Sequence, residues 1–279
     1  MAVEIRPFTL ADVPFGIMLT DAEEWDRVPA DWVRLLRLEP EGAFLAVADG
    51  IPAGTAAALT FGRMAWIHSV IVLRDLRRQG IGEALMRACL DFVDRRGIRT
   101  TKLDSVAGTE AFYRRLGFLE EYPSWRLLAD GKAGRPRAAR LRPKEYAAVF
   151  AFDREMTGLD RSAALKAILA DYPDRAFVVR SKGRVRGYIV VRRGSRRDPV
   201  GPWVADPDDP EVATRLLESV LTTGEDRKFR MCVGGYHEAA VKIAEELGFT
   251  RPDHSIRMYR GEPFMESLAC YAMISAEKG

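Results

Sequence analysis

Apolar and polar positions change period several times along the first 130 residues. Residues 31–38, DWVRLLRL, space their apolar positions as a helix does, with Asp31 placed to cap the first turn. Two apolar runs, Ala43–Ala48 and Thr55–Phe61, flank Asp49-Gly50, a pair suited to a hairpin turn. Trp66–Leu73 is β-branched and aromatic and too short for a helix, which predicts a strand. Glu83–Arg96 sets Ala84, Leu85, Ala88, Cys89, Phe92 and Val93 on one face with charges opposite, and Gly97 suits its C-terminal end. Lys102–Ser105 then reads as a strand, Thr109–Leu116 as a helix and Ser124–Leu128 as a closing strand. The pattern predicts an α/β domain on a mixed sheet.

The second half repeats landmarks of the first in the same order. Arg6-Pro7 returns as Arg142-Pro143, Ala43-Phe44 as Ala176-Phe177, and Leu116-Gly117-Phe118 as Leu247-Gly248-Phe249. Such order at nearly constant separation points to a duplicated fold. Between the copies lies ADGKAGRPRAAR, residues 129–140, whose small, basic, Gly- and Pro-containing composition suits a linker. The expected domains are 1–130 and 141–279.

Composition narrows the function classes. With 43 basic and 40 acidic residues, the net charge of +3 gives no reason to expect a nucleic-acid partner. The 3 cysteines, Cys89, Cys232 and Cys270, are far apart and lack metal-ligand spacing, so they read as reduced thiols of a cytoplasmic protein that needs no metal. No apolar run approaches the roughly 20 residues of a membrane span, and the N-terminus does not read as a signal peptide.

The candidate chemistry sits between the strong strand and the amphipathic helix, in Arg77-Arg78-Gln79-Gly80-Ile81-Gly82. Glycines let a ligand approach the backbone, and a helix N-terminus offers N–H groups and a positive dipole end to a phosphate. Neither the dinucleotide pattern GxGxxG nor a P-loop Gly-Lys-Ser/Thr is present. Val70, Val72, Arg77, Gly80 and Gly82 together resemble the signature of the GNAT N-acetyltransferase superfamily. Ala111 through Phe118, AFYRRLGF, resembles that family's second segment. The sequence departs from it at Arg74 and Leu76, where a Pro and an aromatic are usual, and at Gly108, where an Asn is frequent.

The resemblance implies acetyl-CoA as donor. Backbone groups of Val70, Ile71 and Val72 would pair with the pantetheine, and N–H groups from Arg78 through Gln79, Gly80, Ile81, Gly82 and Glu83 would hold the pyrophosphate. Acetyl transfer requires a neutral amine, a stabilised oxyanion and a proton for the leaving thiolate. By resemblance Tyr113 is the acid, and a phenol of pKa about 10 suits a thiol of similar basicity. His68 is the leading base. It lies two positions before Val70, so strand alternation places it on the face of Val70 and Val72, and a His stands at the matching place in arylalkylamine acetyltransferases. Asp104, acting through a water, is the alternative base.

Nearly the whole chain further resembles the YitH-like tandem acetyltransferases, through Glu24-Trp25-Asp26, Leu38 to Gly42, Ala65-Trp66-Ile67, Leu103-Asp104-Ser105, Gly187-Tyr188, Gly201-Pro202 and Arg257 to Gly261. In the second half the cradle is replaced by GPWVADPDDP, residues 201–210, whose acids repel an anion and whose prolines lack N–H groups. One acetyl-CoA per chain is expected, in the first half, with the second copy degenerate. Trp25, Trp66, Asp104, Asp153 and Asp160 are the candidate contacts to an acceptor, read as a small-molecule amine. A peptide amine or a non-catalytic CoA sensor stay open, as does the oligomeric state.

Overall fold

The computed structural model describes residues 2–274. It contains two compact units, which divide between Leu103 and Asp104.

In the first unit β1 (Val3–Pro7) leads into α1 (Val13–Ala22) and α2 (Pro29–Leu38). β2 (Ala43–Ala48), β3 (Ile51–Phe61) and β4 (Met64–Val72) follow, then α3 (Ile81–Arg95) and β5 (Thr100–Val106), which runs on into the second unit. The sheet order is β1-β2-β3-β4-β5, antiparallel except for the β4–β5 pair that α3 bridges. Asp49 and Gly50 both have positive φ, 47° and 83°, as the hairpin prediction requires. Helix α2 begins two residues earlier than expected. Pro29 takes the first helical position, and Asp31 sits in the first turn, accepting the Val28 N–H at 3.2 Å. Below the sheet Trp32 stacks on Phe8 at 4.4 Å, and a Cβ at Gly16 would come within 2.8 Å of the indole.

An acid-sensitive strut closes this layer. Asp12 takes two hydrogen bonds from Arg6 at 2.8 Å and one from the Thr9 N–H at 2.8 Å. The Arg6 bonds chiefly, opposed by burial and helped by Thr9, lower its carboxyl from the ordinary 3.8 to about 2. A depressed carboxyl stabilises the fold above its unfolded pKa and loses that contribution on protonation. Wild-type protein should therefore lose stability as pH falls from about 3.8 to about 2, and Asp12→Asn should lack that step in urea-unfolding midpoints measured across the window. An identical step in the variant would assign it elsewhere.

The second unit repeats the plan. After α4 (Glu110–Arg115) and β6 (Leu119–Asp130) come β7 (Ala139–Arg140), α5 (Tyr146–Thr157), α6 (Ser162–Asp171), β8 (Ala176–Ser181), β9 (Arg184–Val191) and β10 (Asp198–Ala205). Then follow α7 (Pro210–Leu221), β11 (Lys228–Gly234), α8 (Glu238–Glu246), β12 (Thr250–Gly261) and β13 (Cys270–Ala272). Its sheet runs β12-β6-β11-β10-β9-β8-β7, with β13 also on β10. As α3 bridges the parallel pair β4 and β5, α7 bridges the parallel pair β10 and β11.

The boundary between units falls before the expected linker because β6 pairs with β11 and β12, which ties it to the second unit. Nor do residues 129–140 hang free. Gly131 N–H donates to Arg227 O at 2.7 Å, Lys132 N–H to Leu221 O at 2.8 Å, and Ala138 N–H to Ser219 Oγ at 2.7 Å. Small residues here permit close backbone packing, which composition alone does not distinguish from flexibility. All three cysteines are free and buried, and burial pushes the Cys89 thiol up, away from reactivity. Among the described residues no helix is long and apolar enough to cross a membrane.

Candidate active site

The central element is β4, and its geometry turns on one extra residue. Ala57 pairs with His68 and Thr55 with Ile71, so two steps on β3 span three on β4. That bulge places Ser69 at φ 55° inside a strand, and Thr55 Oγ1 donates to the Ser69 carbonyl at 2.9 Å. Directly paired residues share a face. His68 therefore lies with Thr55, Ala57 and Ile71. Val72 pairs with Gly54 on the opposite side, where a Cβ at Gly54 would meet Leu85 of α3 at 3.2 Å. The expectation that His68 shares a face with Val72 is corrected, because the bulge inverts the alternation. The β4–β5 ladder runs from Met64↔Thr100 to Trp66↔Lys102, while β4 continues to Val72 paired with β3.

His68 is buried, with Ser69 and with Arg27 from the α1–α2 connection. Arg27 Nη2 donates to Ser69 Oγ at 2.8 Å and lies 3.3 Å from His68 Nδ1, and Ser69 Oγ is 2.9 Å from the same ring nitrogen. The connection that delivers Arg27 holds Glu24 and Asp26 at φ 56° and 54°. The segment Glu24-Trp25-Asp26, conspicuous in the sequence, ends one residue short of Arg27. Ser69 has no sequence signal, since a lone serine within the run Trp66–Val72 looks like ordinary strand.

Beyond β4, a short 3-10 turn at Arg74–Leu76 leads to Arg78 and Gly80, both left-handed at φ 64° and 82°. Gly80 caps α3 and provides no side-chain acceptor for its first-turn N–H groups. Ile81 is buried and anchors the turn, while Arg78, Gln79 and Gly80 are exposed. Gly82 and Glu83 are half-buried, and Glu83 pairs with Arg87 at 2.6 Å. These features fit a pyrophosphate: open amides, a dipole end and nearby cationic charge. Arg77 has a different local duty. Its Nε donates to Val72 O at 3.0 Å and its Nη2 to Glu23 at 2.5 Å, so it braces the loop and much of its charge is compensated.

In the second unit Tyr113 lies on α4, buried, edge-on to Phe112 at 4.9 Å and Phe118 at 6.2 Å. Where an Asn is frequent in the family, the Gly108 N–H donates to the Glu110 carboxylate at 3.0 and 3.1 Å. Asp104 receives Arg257 Nε at 2.8 Å and Nη2 at 2.9 Å, with Ser124 Oγ at 3.4 Å. Burial pushes the Asp104 carboxyl up and Arg257 pulls it back. Both oxygens of the Asp104 carboxylate are thus engaged by a buried guanidinium, which weighs against Asp104 as holder of a catalytic water.

The acceptor candidates disperse. Trp66 is 1% exposed within β4, a core residue. Trp25 is half-buried, and its backbone N–H closes a turn on Thr20 O at 3.0 Å. Asp153 is fully buried, with Arg161 at 2.5 and 3.1 Å and Tyr188 OH at 2.5 Å. Its carboxylate is thus engaged by Arg161 and Tyr188 within the interior. Asp160 is exposed and accepts the Ser162 N–H at 3.0 Å, closing the turn into α6.

The equivalent strand of the second copy, β10, has the same irregularity. Val200 pairs with Val191 and Trp203 with Ile189, again one residue extra. Its parallel ladder with β11 stops at Pro199↔Arg230. Past that point β13 enters, pairing Ala272 with Trp203 and Cys270 with Val204, while the Met273 N–H donates to Cys232 O on β11 at 3.3 Å. A Cβ at Gly201 would lie 2.0 Å from Met273 O. The following loop is acidic: Asp206 accepts the Asp208 N–H at 2.9 Å and pairs with Arg186 at 2.8 Å, and Pro210 opens α7. Among the described residues no group of three or more His, Cys, Asp or Glu could hold a metal ion.

Known proteins match this architecture. Residues 8–118 match the family described as Acetyltransferase (GNAT) family, and residues 149–269 that described as Acetyltransferase (GNAT) domain. Holothin acyltransferase of Pseudoalteromonas sp. (strain SANK 73390) is 24% identical over 264 residues, 92% of this chain and 88% of that protein. The uncharacterized N-acetyltransferase YitH of Bacillus subtilis (strain 168) is 24% identical over 223 residues, 78% of each. Among solved structures, an acetyltransferase by description from Pyrococcus horikoshii has TM-score 0.84 at 21% identity, covering 99% of this chain and 96% of that one. A tandem GNAT protein from the clavulanic acid biosynthesis pathway has TM-score 0.64 at 16% identity, covering 95% and 100%.

Proposed function

Because this chain belongs to the GNAT acetyltransferase family, with two of its domains in tandem, we propose that it moves an acetyl group from acetyl-CoA to a primary amine of a small molecule by direct attack in a ternary complex. The observation that carries this reading is the cradle at the start of α3, where Arg78 and the N-cap Gly80 are left-handed and no side chain caps the helix. Backbone N–H groups from Arg78 to Glu83 would bind the pyrophosphate. The stretch of β4 through Val70, Ile71 and Val72, past the end of its ladder with β5, would pair with the pantetheine amides. Acetyl-CoA supplies the activated acyl group. The chain's residues orient it, exclude water and manage protons.

We assign the catalytic role to residues 1–130 and a non-cofactor role to residues 141–279. Two features support the division: β13 lies where the strands of the second copy part, and acids stand where a phosphate cradle would be. Tyr113 would give its proton to the leaving thiolate, and β4 would contribute His68 as a polar side chain of the site.

Thiol release from acetyl-CoA, followed with a thiol reagent across polyamines, amino acids, aminoglycosides and arylalkylamines, tests the reading. One relative is named for holothin, so holothin joins the panel. A peptide amine reacting in preference to every small amine would move the acceptor to proteins, and CoA binding without turnover of any amine would leave a sensor. With a reacting amine in hand, Tyr113→Phe should lower kcat by ~10-fold or more; an unchanged rate removes the acid role.

A further inference from the structure

The three-residue contact around His68 limits what that histidine can do. A guanidinium has donors only. Arg27 Nη2, 2.8 Å from Ser69 Oγ, must donate to that oxygen, and at 3.3 Å from His68 Nδ1 it also directs an N–H toward the ring nitrogen. Ser69 Oγ, having accepted from Arg27, keeps one proton to donate and stands 2.9 Å from Nδ1. Two donors therefore converge on Nδ1. A proton on that nitrogen would face the guanidinium, whereas a lone pair there satisfies both neighbours. Arg27, His68 and Ser69 are 2%, 4% and 1% exposed, so water does not relieve an adverse contact. The arrangement is also over-determined. The bulge fixes Ser69 at φ 55°, Thr55 Oγ1 holds its carbonyl, and the left-handed Glu24 and Asp26 fix the turn that brings Arg27 in.

We propose that Arg27 and Ser69 are positioning residues that keep the His68 proton on Nε2, so that His68 serves acyl transfer as a hydrogen-bond donor and not as the general base. A ring protonated at Nε2 has no lone pair there with which to take a proton from an attacking amine. It can donate to a carbonyl or to the negative charge that grows on it. The donor role rests on the acetyl-transfer reading above; the tautomer does not.

The experiment separates the two. The chain has 3 histidines, so long-range proton–nitrogen spectra of protein labelled with nitrogen-15 histidine contain three ring patterns, assigned by single His→Gln variants. His237 is an internal standard. Its Nδ1 accepts the Ala240 N–H at 3.2 Å and its Nε2 faces Leu268 O at 2.8 Å, which makes it an Nε2–H ring. His68 should give the same pattern in the unliganded wild type at pH 7, and Ser69→Ala or Arg27→Lys should convert it to a mixture of tautomers. An Nδ1–H or doubly protonated His68 in the wild type overturns the proposal. Turnover then tests the role, using acetyl-CoA and the amine that the panel identifies. Glutamine keeps a donor near the Nε2 position and cannot act as a base. His68→Gln should stay within about fivefold of wild type while His68→Ala falls by ~30-fold or more, as for loss of one oriented donor. Equal losses in the two variants would return His68 to the role of base. A wild type that turns over no amine would remove the acetyl-transfer reading and leave the tautomer to be judged from the spectra.

Discussion

Asp153→Ala should destabilise the second unit by about 3–5 kcal/mol, the cost of stranding one partner of a buried ion pair. Asp153 and Arg161 have side chains 1% and 2% exposed, and the guanidinium binds the carboxylate at 2.5 and 3.1 Å. Tyr188 OH adds a bond to Asp153 at 2.5 Å, and the Thr157 hydroxyl donates to the Asp153 backbone carbonyl at 2.7 Å. Burial works against the charge on Arg161, and Asp153 more than offsets it, so the guanidinium stays protonated. Truncating Asp153 leaves that charge without its carboxylate in a medium that cannot solvate it. The urea midpoint of the transition that reports on the second unit is the measurement. Asp153→Ala combined with Arg161→Met should recover a large part of the loss, since no buried charge then remains. A loss below about 1 kcal/mol in the single variant, the range of an exposed pair, would refute the account.

Gly80→Asp should weaken CoA binding about 100-fold or more, through repulsion between a carboxylate and the pyrophosphate at close range. A Cβ at Gly80 would meet nothing within 4 Å, so a steric clash is not the cause. The backbone there has φ 82°, which adds strain of about 1–2 kcal/mol for any L side chain. Gly97→Asp is the control. Gly97 has φ 65°, lies just past the other end of α3 and also opens on empty space. It should incur similar strain and leave CoA affinity alone. Calorimetry on the wild type should give one CoA per chain. Two equivalent sites, or an unchanged affinity in Gly80→Asp, would remove the cradle from the binding site.

Residues with a local physical signature are legible in the sequence. The Asp49-Gly50 turn and the apolar face of α3 follow from rules that act within a few residues, and both appear where the sequence predicts them. The glycine-bearing loop before α3 is visible for the same reason. What escapes depends on contacts between distant segments. Alternation along β4 fails at Ser69 because a bulge is a property of two strands, and one strand's sequence does not count the steps of its neighbour. Asp153 reads as a candidate contact to an acceptor, since eight positions of sequence do not reveal that the chain folds Arg161 back onto it. Residues 129–140 read as a linker because flexible and closely packed backbones favour the same small residues.

The three residues of β13 give the second copy a property of their own. A segment covalently joined to the sheet it completes competes for that edge at an effective concentration on the order of millimolar, whatever the state of the surroundings. It pairs by main-chain hydrogen bonds with Trp203 and Val204, in the manner of a peptide added to an open sheet edge. Tyr271 and Ala272 are both 1% exposed, so side-chain burial adds to the backbone pairing. An outside molecule aimed at this edge must first win against a competitor that is never diluted and never exhausted. The second copy thus fills with its own chain the place beside β10 past the end of the β10–β11 ladder.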